Sequence, residues 1–166
     1  GYSASKKEIS TRIEKAPLHQ LLGNAIRNFQ PQIRDKSLQV ENAIEEVSVP
    51  TDKYLVQQIY DNLLSNAIKY SPRSGTITIR LYETGKEVIT DFGDEGQGLT
   101  TDDQEKLFTE FQTLSARPTA GESSFGLGLS IVKKFADKLR GRVWCESTYG
   151  EGACFSVALP LDPVDD

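Results

Sequence analysis

Two asparagines and a lysine share one face of a helix that the sequence predicts after residue 52. Asn62, Asn66 and Lys69 stand at positions i, i+4 and i+7 of the segment DNLLSNAIKYSP, with Tyr70 beside them. An Asn amide oxygen is a suitable neutral ligand for Mg²⁺, a lysine neutralises phosphate, and a tyrosine ring stacks on a base. The asparagines can instead satisfy nearby backbone, but two of them inside a helix are costly for helix propensity, which tilts the balance slightly toward a binding role.

A carboxylate and two glycines follow a predicted apolar strand over 88–92. The segment DEGQGL contains Asp94, Gly96, Gly98 and Leu99. A carboxylate at the end of a buried strand can accept a hydrogen bond from an exocyclic amine such as adenine N6, and the glycines let the backbone approach a planar ligand. Taken alone, the segment is more typical of an ordinary Asx-type turn.

A second glycine-rich segment opens a predicted helix. Gly126, Leu127, Gly128 and Leu129 follow a polar loop, and the backbone N–H groups at a helix N-terminus bind anions. Arg117 in that loop is a further candidate phosphate ligand. The segment lacks the Walker A pattern and follows no strand, so by itself it also fits a plain loop-to-helix junction.

The elements that must position these residues alternate between helices and hairpins. Apolar residues at helical spacing predict helices over 18–29 and from a cap at Thr51 or Asp52 to residue 71. Residues 38–49 predict one or two strands, and hairpins are predicted over 76–92 and 142–159. Short helices are expected over 101–111 and 126–139, separated by a loop over 112–125. The predicted fold is an α/β (α+β) two-layer sandwich, with a mixed, mostly antiparallel sheet and helices on one face.

Composition restricts the class of protein. The chain has 166 residues and a net charge of −5, which argues against a nucleic-acid or membrane-surface binder. No apolar run approaches the roughly 20 residues of a bilayer span, no signal peptide is visible, and the two cysteines lack metal-ligand spacing. We therefore expect a cytoplasmic domain. Because the chain has no Met, we expect it to be a piece of a longer protein, which itself can be membrane-anchored.

The three segments together, in this order, resemble the ATP-binding catalytic domain of sensor histidine kinases, within the ATPase/kinase group shared with DNA gyrase B and MutL. Two more segments strengthen the resemblance: LFTEF at 107–111 is similar to the F box before the family's ATP lid, and YGEGACF at 149–155 to its last glycine motif. The resemblance implies a catalytic ATP-binding domain over 17–160. Residues 1–16 would then be a linker or the end of a dimerisation helix, and 161–166 a C-terminal tail.

The resemblance also assigns roles. It implies that Asn66 ligates Mg²⁺ with help from Asn62, that Lys69 meets phosphate, that Tyr70 packs near adenine and that Asp94 binds adenine N6. The remaining residues that it places in the ATP site shape the adenine wall, anchor the lid or hold phosphate: Gly96, Gly98, Leu99, Phe108, Phe111, Arg117, Gly126, Leu127, Gly128 and Leu129.

The type of reaction follows from a residue that is missing. ATP hydrolases of the group resemble one another in placing a Glu four residues before the metal-binding Asn, where it activates water. Here that position is Asn62, a poor general base, so the sequence favours phosphoryl transfer to an external acceptor. In histidine kinases the acceptor is a His on a separate dimerising helix pair. The only His here, His19, lies in the opening helix of the domain, so we expect the acceptor to be absent from this chain.

The function expected is therefore that of a histidine kinase catalytic domain. It would bind Mg²⁺-ATP, and its parent would phosphorylate a His and then pass the phosphoryl group to a response-regulator receiver domain. We expect the isolated domain to be a monomer. Three alternatives stay open. One is an ATPase module of the same group, and another is a serine-directed kinase of that group, which shares the pocket. The third is a degenerate, nucleotide-free domain that binds partners, for which Phe125 and the sparse lid are the support.

Overall fold

The computed structural model of the chain describes residues 10–108 and 127–162. The helices are α1 (Leu18–Asn28), α2 (Gln30–Asp35), α3 (Lys53–Tyr70), α4 (Thr101–Lys106) and α5 (Leu127–Lys138). The strands are β1 (Glu14–Pro17), β2 (Gln39–Ile44), β3 (Ser48–Thr51), β4 (Thr76–Glu83), β5 (Glu87–Asp94), β6 (Arg142–Ser147) and β7 (Ala153–Pro160).

Five of these strands form one mixed sheet in the order β2-β4-β5-β7-β6. The pairing of β2 with β4 is parallel, and the other three pairings are antiparallel. Strands β1 and β3 form a separate antiparallel pair. The helices pack on one face of the main sheet, in agreement with the predicted two-layer sandwich.

The alternation of side chains along β4 shows why one face is covered. Ile77, Ile79 and Leu81 are fully buried, while Thr78 and Arg80 point to the opposite, solvent-facing side. Burial of the apolar face against α1, α3 and α5 provides most of the driving force for folding.

The central helix α3 carries both a core face and a polar face. Asp52 caps its N-terminus, because a side-chain oxygen of Asp52 accepts a hydrogen bond from the backbone N–H of Leu55 at 3.1 Å. Tyr60 is fully buried, with its hydroxyl 2.9 Å from Thr90 Oγ1 and its ring centroid 5.9 Å from that of Phe92. The helix is thereby fixed over β5, the strand that ends at Asp94.

The structure contains two elements that the sequence analysis did not predict. Glu14–Pro17 form a strand paired with Ser48–Thr51, so this part of the predicted linker or helix end is extended instead. The helix Gln30–Asp35 was not predicted; Pro31 fits the first turn of a helix, where no backbone N–H is needed. None of the helices in the described part of the chain has the length and apolar character that a bilayer span demands.

Candidate functional site

The C-terminal end of α3 packs tightly against the turn that follows β5. A Cβ atom added at Gly96 would lie 2.1 Å from the backbone oxygen of Tyr70 and 3.0 Å from Asp94 Oδ1. A side chain at position 96 is therefore incompatible with this contact. The glycine brings the end of α3 and the end of β5 together at one place.

Asp94 carries a buried oxygen atom that nothing in the described chain satisfies. The residue is only 9% exposed; its Oδ1 accepts a hydrogen bond from the backbone N–H of Gly96 at 2.8 Å, whereas its Oδ2 is buried without a partner. An unpaired buried acceptor is costly, so the atom is a natural acceptor for a ligand's donor. Desolvation raises the pKa of Asp94 to about 6, against the opposing effects of the backbone N–H groups of Gly96 and Ala153 and the charge of Lys36.

A small cavity adjoins this carboxylate. Its lining combines aromatic and aliphatic groups with one acid: Tyr70, Asp94, Gln97, Gly98, Leu99, Ala153 and Phe155. A mostly apolar lining with one carboxylate has the chemistry to contact a flat ring that carries an exocyclic amine. The structure thus brings together Tyr70, Asp94, Gly98 and Leu99, four of the residues that the sequence analysis singled out.

The far side of the glycine turn is held by the hairpin between β6 and β7. Ser147 Oγ donates a hydrogen bond to the backbone oxygen of Gly152 at 2.7 Å and accepts one from the N–H of Leu99 at 2.8 Å. Gly98 has φ = 76°, and a Cβ there would lie 2.5 Å from the oxygen of Thr148. The turn is therefore anchored on both sides, which fixes the position of the cavity wall beside Asp94.

The asparagine face of α3 meets the start of α5. The Asn62 amide nitrogen donates to the backbone oxygen of Gln58 at 2.8 Å, and a Cβ at Gly128 would lie 2.9 Å from Asn62 Oδ1. Asn66 and Lys69 follow on the same helix, both half-buried. None of the described residues hydrogen-bonds the side-chain amide of Asn66, which leaves this amide available to a ligand.

The remaining predicted site residues divide into two groups. Phe108 is half-buried against the core, and Leu129 is 2% exposed within it, so a ligand contact at Leu129 would involve the backbone. Phe111, Arg117, Gly126 and the side chain of Leu127 lie outside the described residues, and their predicted roles remain predictions.

Sequence reasoning missed four residues near the cavity. Gln97, Ala153 and Phe155 line it, and the buried Lys36 acts electrostatically on Asp94. Ala153 and Phe155 belong to the predicted closing hairpin, but an apolar strand residue gives no sign that it faces a ligand. Lys36 stands at the C-terminal end of a short helix, where a lysine is ordinarily exposed.

A wider hollow lies open on the opposite, solvent-facing side of the sheet. Thr78, Gly93 and Cys154 lie on its floor. Four acidic residues line it: Asp94, which it shares with the smaller cavity, and Glu95, Glu146 and Glu151. Negative charge disfavours a phosphorylated ligand at this hollow. The cavity at Asp94 and the asparagine face of α3 form the better candidate site.

Comparison with known proteins shows the family to which the sequence is similar. Residues 51–163 match the family described as histidine kinase-, DNA gyrase B- and HSP90-like ATPase. The chain is 32% identical over 164 residues to the adaptive-response sensory kinase SasA of Gloeothece citriformis, covering 95% of this chain and 41% of SasA. It is 33% identical over 132 residues to the circadian input-output histidine kinase CikA of Synechococcus elongatus, covering 77% of this chain and 17% of CikA.

The fold is shared with solved histidine kinase domains. The catalytic domain of the histidine kinase ThkA superimposes with a TM-score of 0.80 at 25% identity, covering 92% of this chain and 98% of that domain. The chain spans about two fifths of the length of SasA, so the match concerns one part of such proteins. The family match covers more than half of the chain, and this chain therefore belongs to the histidine kinase-, DNA gyrase B- and HSP90-like ATPase family.

Proposed function

We propose that this chain is the ATP-binding catalytic domain of a sensor histidine kinase. It binds Mg²⁺-ATP and positions the γ-phosphoryl group for transfer to a His on a separate dimerisation domain. The observation that carries the proposal is the buried, unpartnered Oδ2 of Asp94 at the edge of the cavity beside Tyr70.

Adenine recognition follows from the acceptor that this atom offers. Because Oδ1 of Asp94 is already engaged by the N–H of Gly96, Oδ2 is left to accept from the exocyclic N6 amine of adenine. Guanine carries an oxygen at the equivalent ring position, which would place two acceptors together. The site should therefore select adenine over guanine nucleotides.

Phosphates and the metal fit the asparagine face of α3. The amide of Asn66 has the chemistry of a neutral Mg²⁺ ligand, and Lys69, one turn further along, supplies a positive charge for phosphate. In the described part of the chain no three His, Cys, Asp or Glu residues cluster as metal ligands. Asn66 would therefore hold the ion together with phosphate oxygens, and the ion would neutralise charge on the phosphates.

The residues around Asn62 favour phosphoryl transfer over hydrolysis. Asn62 is neutral, and its amide is tied to Gln58 and packed against Gly128, so it cannot take a proton from water. The neighbouring Asp61 accepts a hydrogen bond from Gln57 Nε2 at 3.1 Å, and Gln57 Nε2 also donates to Leu21 of α1 at 3.0 Å. Asp61 is thus directed toward α1 rather than toward the asparagine face.

The phosphoryl acceptor belongs to a partner. His19 is the only histidine of the chain; it is half-buried, and its Nδ1 lies 3.2 Å from the backbone nitrogen of Val47 in a structural contact. A His-bearing dimerisation domain and a response-regulator receiver domain are the partners that this function requires. The neighbour ThkA has been solved in complex with the response regulator protein TrrA, which supports including a receiver domain.

The first experiment is calorimetric titration of ADP, GDP and a non-hydrolysable ATP analogue into the domain, with and without Mg²⁺. We expect adenine nucleotides to bind and guanine nucleotides not to bind. Asp94→Ala should abolish binding while the far-ultraviolet circular dichroism spectrum is retained. The matched control is Asp137→Ala, which removes an exposed carboxylate paired with Lys133 on α5 and should leave the affinity unchanged.

The alternatives make different predictions in the same titration. No binding at millimolar ADP would refute the proposal and favour a partner-binding domain without nucleotide. Steady release of inorganic phosphate from ATP by the domain alone would favour an ATPase module. Binding without hydrolysis, together with phosphorylation of a separately added His-bearing dimerisation domain, is the outcome that we expect.

A further inference from the structure

Lys36 carries an ammonium group, yet its side chain is almost completely buried. It is 2% exposed, and its Nζ donates hydrogen bonds to the backbone oxygens of Ile68 at 2.7 Å and of Lys69 at 3.0 Å. Its own backbone oxygen accepts from the N–H of Ser74 at 2.9 Å. Lys36, the residue that directly follows α2, is therefore hydrogen-bonded both to the end of α3 and to the loop after α3.

The energetics of this arrangement call for a specific role. Burying an ammonium group is expensive unless its donors are satisfied, and a helix C-terminus is a favourable place because its last carbonyls lack intrahelical partners and carry negative partial charge. An exposed lysine on the helix surface would give the same capping at lower cost. The buried placement brings the charge close to the Asp94 carboxylate, on which Lys36 acts electrostatically.

A short series of contacts leads from Lys36 to the free oxygen of Asp94. The carbonyls that Lys36 binds immediately precede Tyr70, whose own carbonyl is packed against Gly96. The N–H of Gly96 in turn holds Oδ1 of Asp94. A change in the last turn of α3 would therefore alter both the Tyr70 wall of the cavity and the orientation of the carboxylate.

We propose that Lys36 is a positioning residue for nucleotide recognition. Its ammonium fixes the last turn of α3 against the glycine turn and places a positive charge beneath Asp94, so that Oδ2 is presented to adenine as an ionised acceptor. This role rests on the proposed function, since it concerns the same adenine site.

The charge of Lys36 opposes the desolvation of Asp94. Burial raises the pKa of Asp94 to about 6; the backbone N–H groups of Gly96 and Ala153, and then the positive charge of Lys36, oppose this rise. Tyr70 lines the same cavity as Asp94, and burial, followed by the charge of Asp94, raises the pKa of the Cys145 thiol from β6 to about 12. The carboxylates of Glu95, Glu146 and Glu151 line the wider hollow that Asp94 also borders. Lys36 supplies the positive charge that lowers the pKa of the Asp94 carboxyl against its burial.

The test compares Lys36→Met with the wild-type domain. The Met side chain keeps the apolar stem of the lysine and removes the charge. Lys36→Gln also removes the charge but changes the polarity less, and it serves as the second variant in case Lys36→Met does not fold. Two quantities are measured: the carboxyl ¹³C resonance of Asp94 against pH without nucleotide, and ADP affinity without Mg²⁺ between pH 6 and pH 9. The control is Lys86→Met, in the exposed turn between β4 and β5.

We expect the Asp94 resonance to titrate at a higher pH in both Lys36 variants. ADP affinity near pH 7 should fall about tenfold, because a smaller fraction of Asp94 is then ionised at that pH. The loss should shrink toward pH 9, where Asp94 is ionised in every variant; a purely structural defect would weaken binding equally at all pH values. Lys86→Met should match the wild type.

An unchanged Asp94 titration together with unchanged ADP affinity in a folded variant would overturn the role of Lys36. A loss of affinity that does not depend on pH would overturn the effect of Lys36 on the ionisation of Asp94 and would assign the loss to the last turn of α3 alone. If the wild-type domain itself binds no ADP, the proposed function fails. The Asp94 titration needs no nucleotide, so in that case it still decides whether Lys36 controls the carboxylate.

Discussion

The carbonyl oxygen of Tyr70 and the α-carbon of Gly96 are packed so closely that no side chain fits between them. A Cβ atom at position 96 would stand 2.1 Å from that oxygen. This contact joins the helix that carries Asn62 and Asn66 to the turn that presents Asp94. The adenine and phosphate parts of the candidate site are thus held in one rigid arrangement by a position that must be glycine.

Replacing this glycine should damage the site more than the fold. In Gly96→Ala the new methyl group must displace either the end of α3 or the turn, because backbone atoms cannot yield cheaply. We expect a loss of about 1–3 kcal/mol in the free energy of unfolding, as for other overpacked positions. ADP affinity should fall at least about tenfold, since the displaced turn carries Asp94.

The matched control for this change is Gly85→Ala. A Cβ at Gly85 has nothing within 4 Å, so the same substitution adds a methyl group in open space. Urea unfolding and ADP titration of the two variants separate crowding at Gly96 from the general effect of removing a glycine. Equal ADP affinities in the two variants would contradict the importance of the Tyr70–Gly96 contact.

A second prediction concerns the pH dependence of stability at Asp94. The pKa of its carboxyl is raised by burial from the ordinary value of 3.8 to about 6. The folded state therefore binds the proton more tightly than the unfolded state, so the stability contribution of this group is fully present below about pH 4 and is lost as the pH rises to about 6. Asp94→Asn cannot ionise, and we expect it to be about 1–3 kcal/mol more stable than the wild type at pH 7.

This gain should vanish near pH 4, where the wild-type carboxyl is protonated too. Urea unfolding at pH 4 and pH 7 measures the difference, with Asp137→Asn as the exposed control. The variant should be more stable and yet fail to bind ADP, because the Asn amide would direct a donor toward the N6 amine. A constant stability difference at both pH values would show that ionisation of Asp94 is not its cause.

The fold was largely predictable because its signals are local. The alternation of Ile77, Ile79 and Leu81 with polar neighbours predicts a strand with one buried face, and the cap at Asp52 marks the start of α3. The strand Glu14–Pro17 was not predictable, since its stability comes from pairing with Ser48–Thr51, about 35 residues away. Long-range pairing leaves no periodic pattern in so short a segment.

The candidate site was predictable where residue type and spacing carry chemistry, as with Asp94 and the two asparagines. It was not predictable where function depends on burial. Lys36 looks like an ordinary lysine at a helix end until the structure places it beneath α3. For Leu129 the sequence errs in the opposite direction. Its position beside Gly128 predicts a ligand contact, but its side chain is buried in the core.

A third prediction tests the metal ligand. Asn66→Ala should remove the increase in affinity for the ATP analogue that Mg²⁺ produces, while binding without Mg²⁺ stays the same, because the amide contacts the metal and not the adenine. The control is Asn42→Ala, which alters an exposed asparagine on β2. Calorimetric titrations with and without Mg²⁺ provide the comparison; a Mg²⁺ effect of wild-type size in Asn66→Ala would refute the assignment.

A fourth prediction concerns the contact between α3 and α5. In Gly128→Ala the new Cβ would lie 2.9 Å from Asn62 Oδ1, so the amide must shift away from its hydrogen bond with Gln58. Helix propensity favours alanine over glycine by up to about 1 kcal/mol, which opposes this cost. We expect little net change in the free energy of unfolding in the wild-type background.

The same substitution should become stabilising when the obstructing amide is absent. In the Asn62→Ala background the Cβ at position 128 meets no amide oxygen, and the helix-propensity gain is then realised. A double-mutant cycle by urea unfolding should yield a coupling energy of about 0.5–1.5 kcal/mol between the two positions. Additive effects would mean that Asn62 and Gly128 do not touch in solution, and the two halves of the proposed phosphate site would then lie further apart than the structure places them.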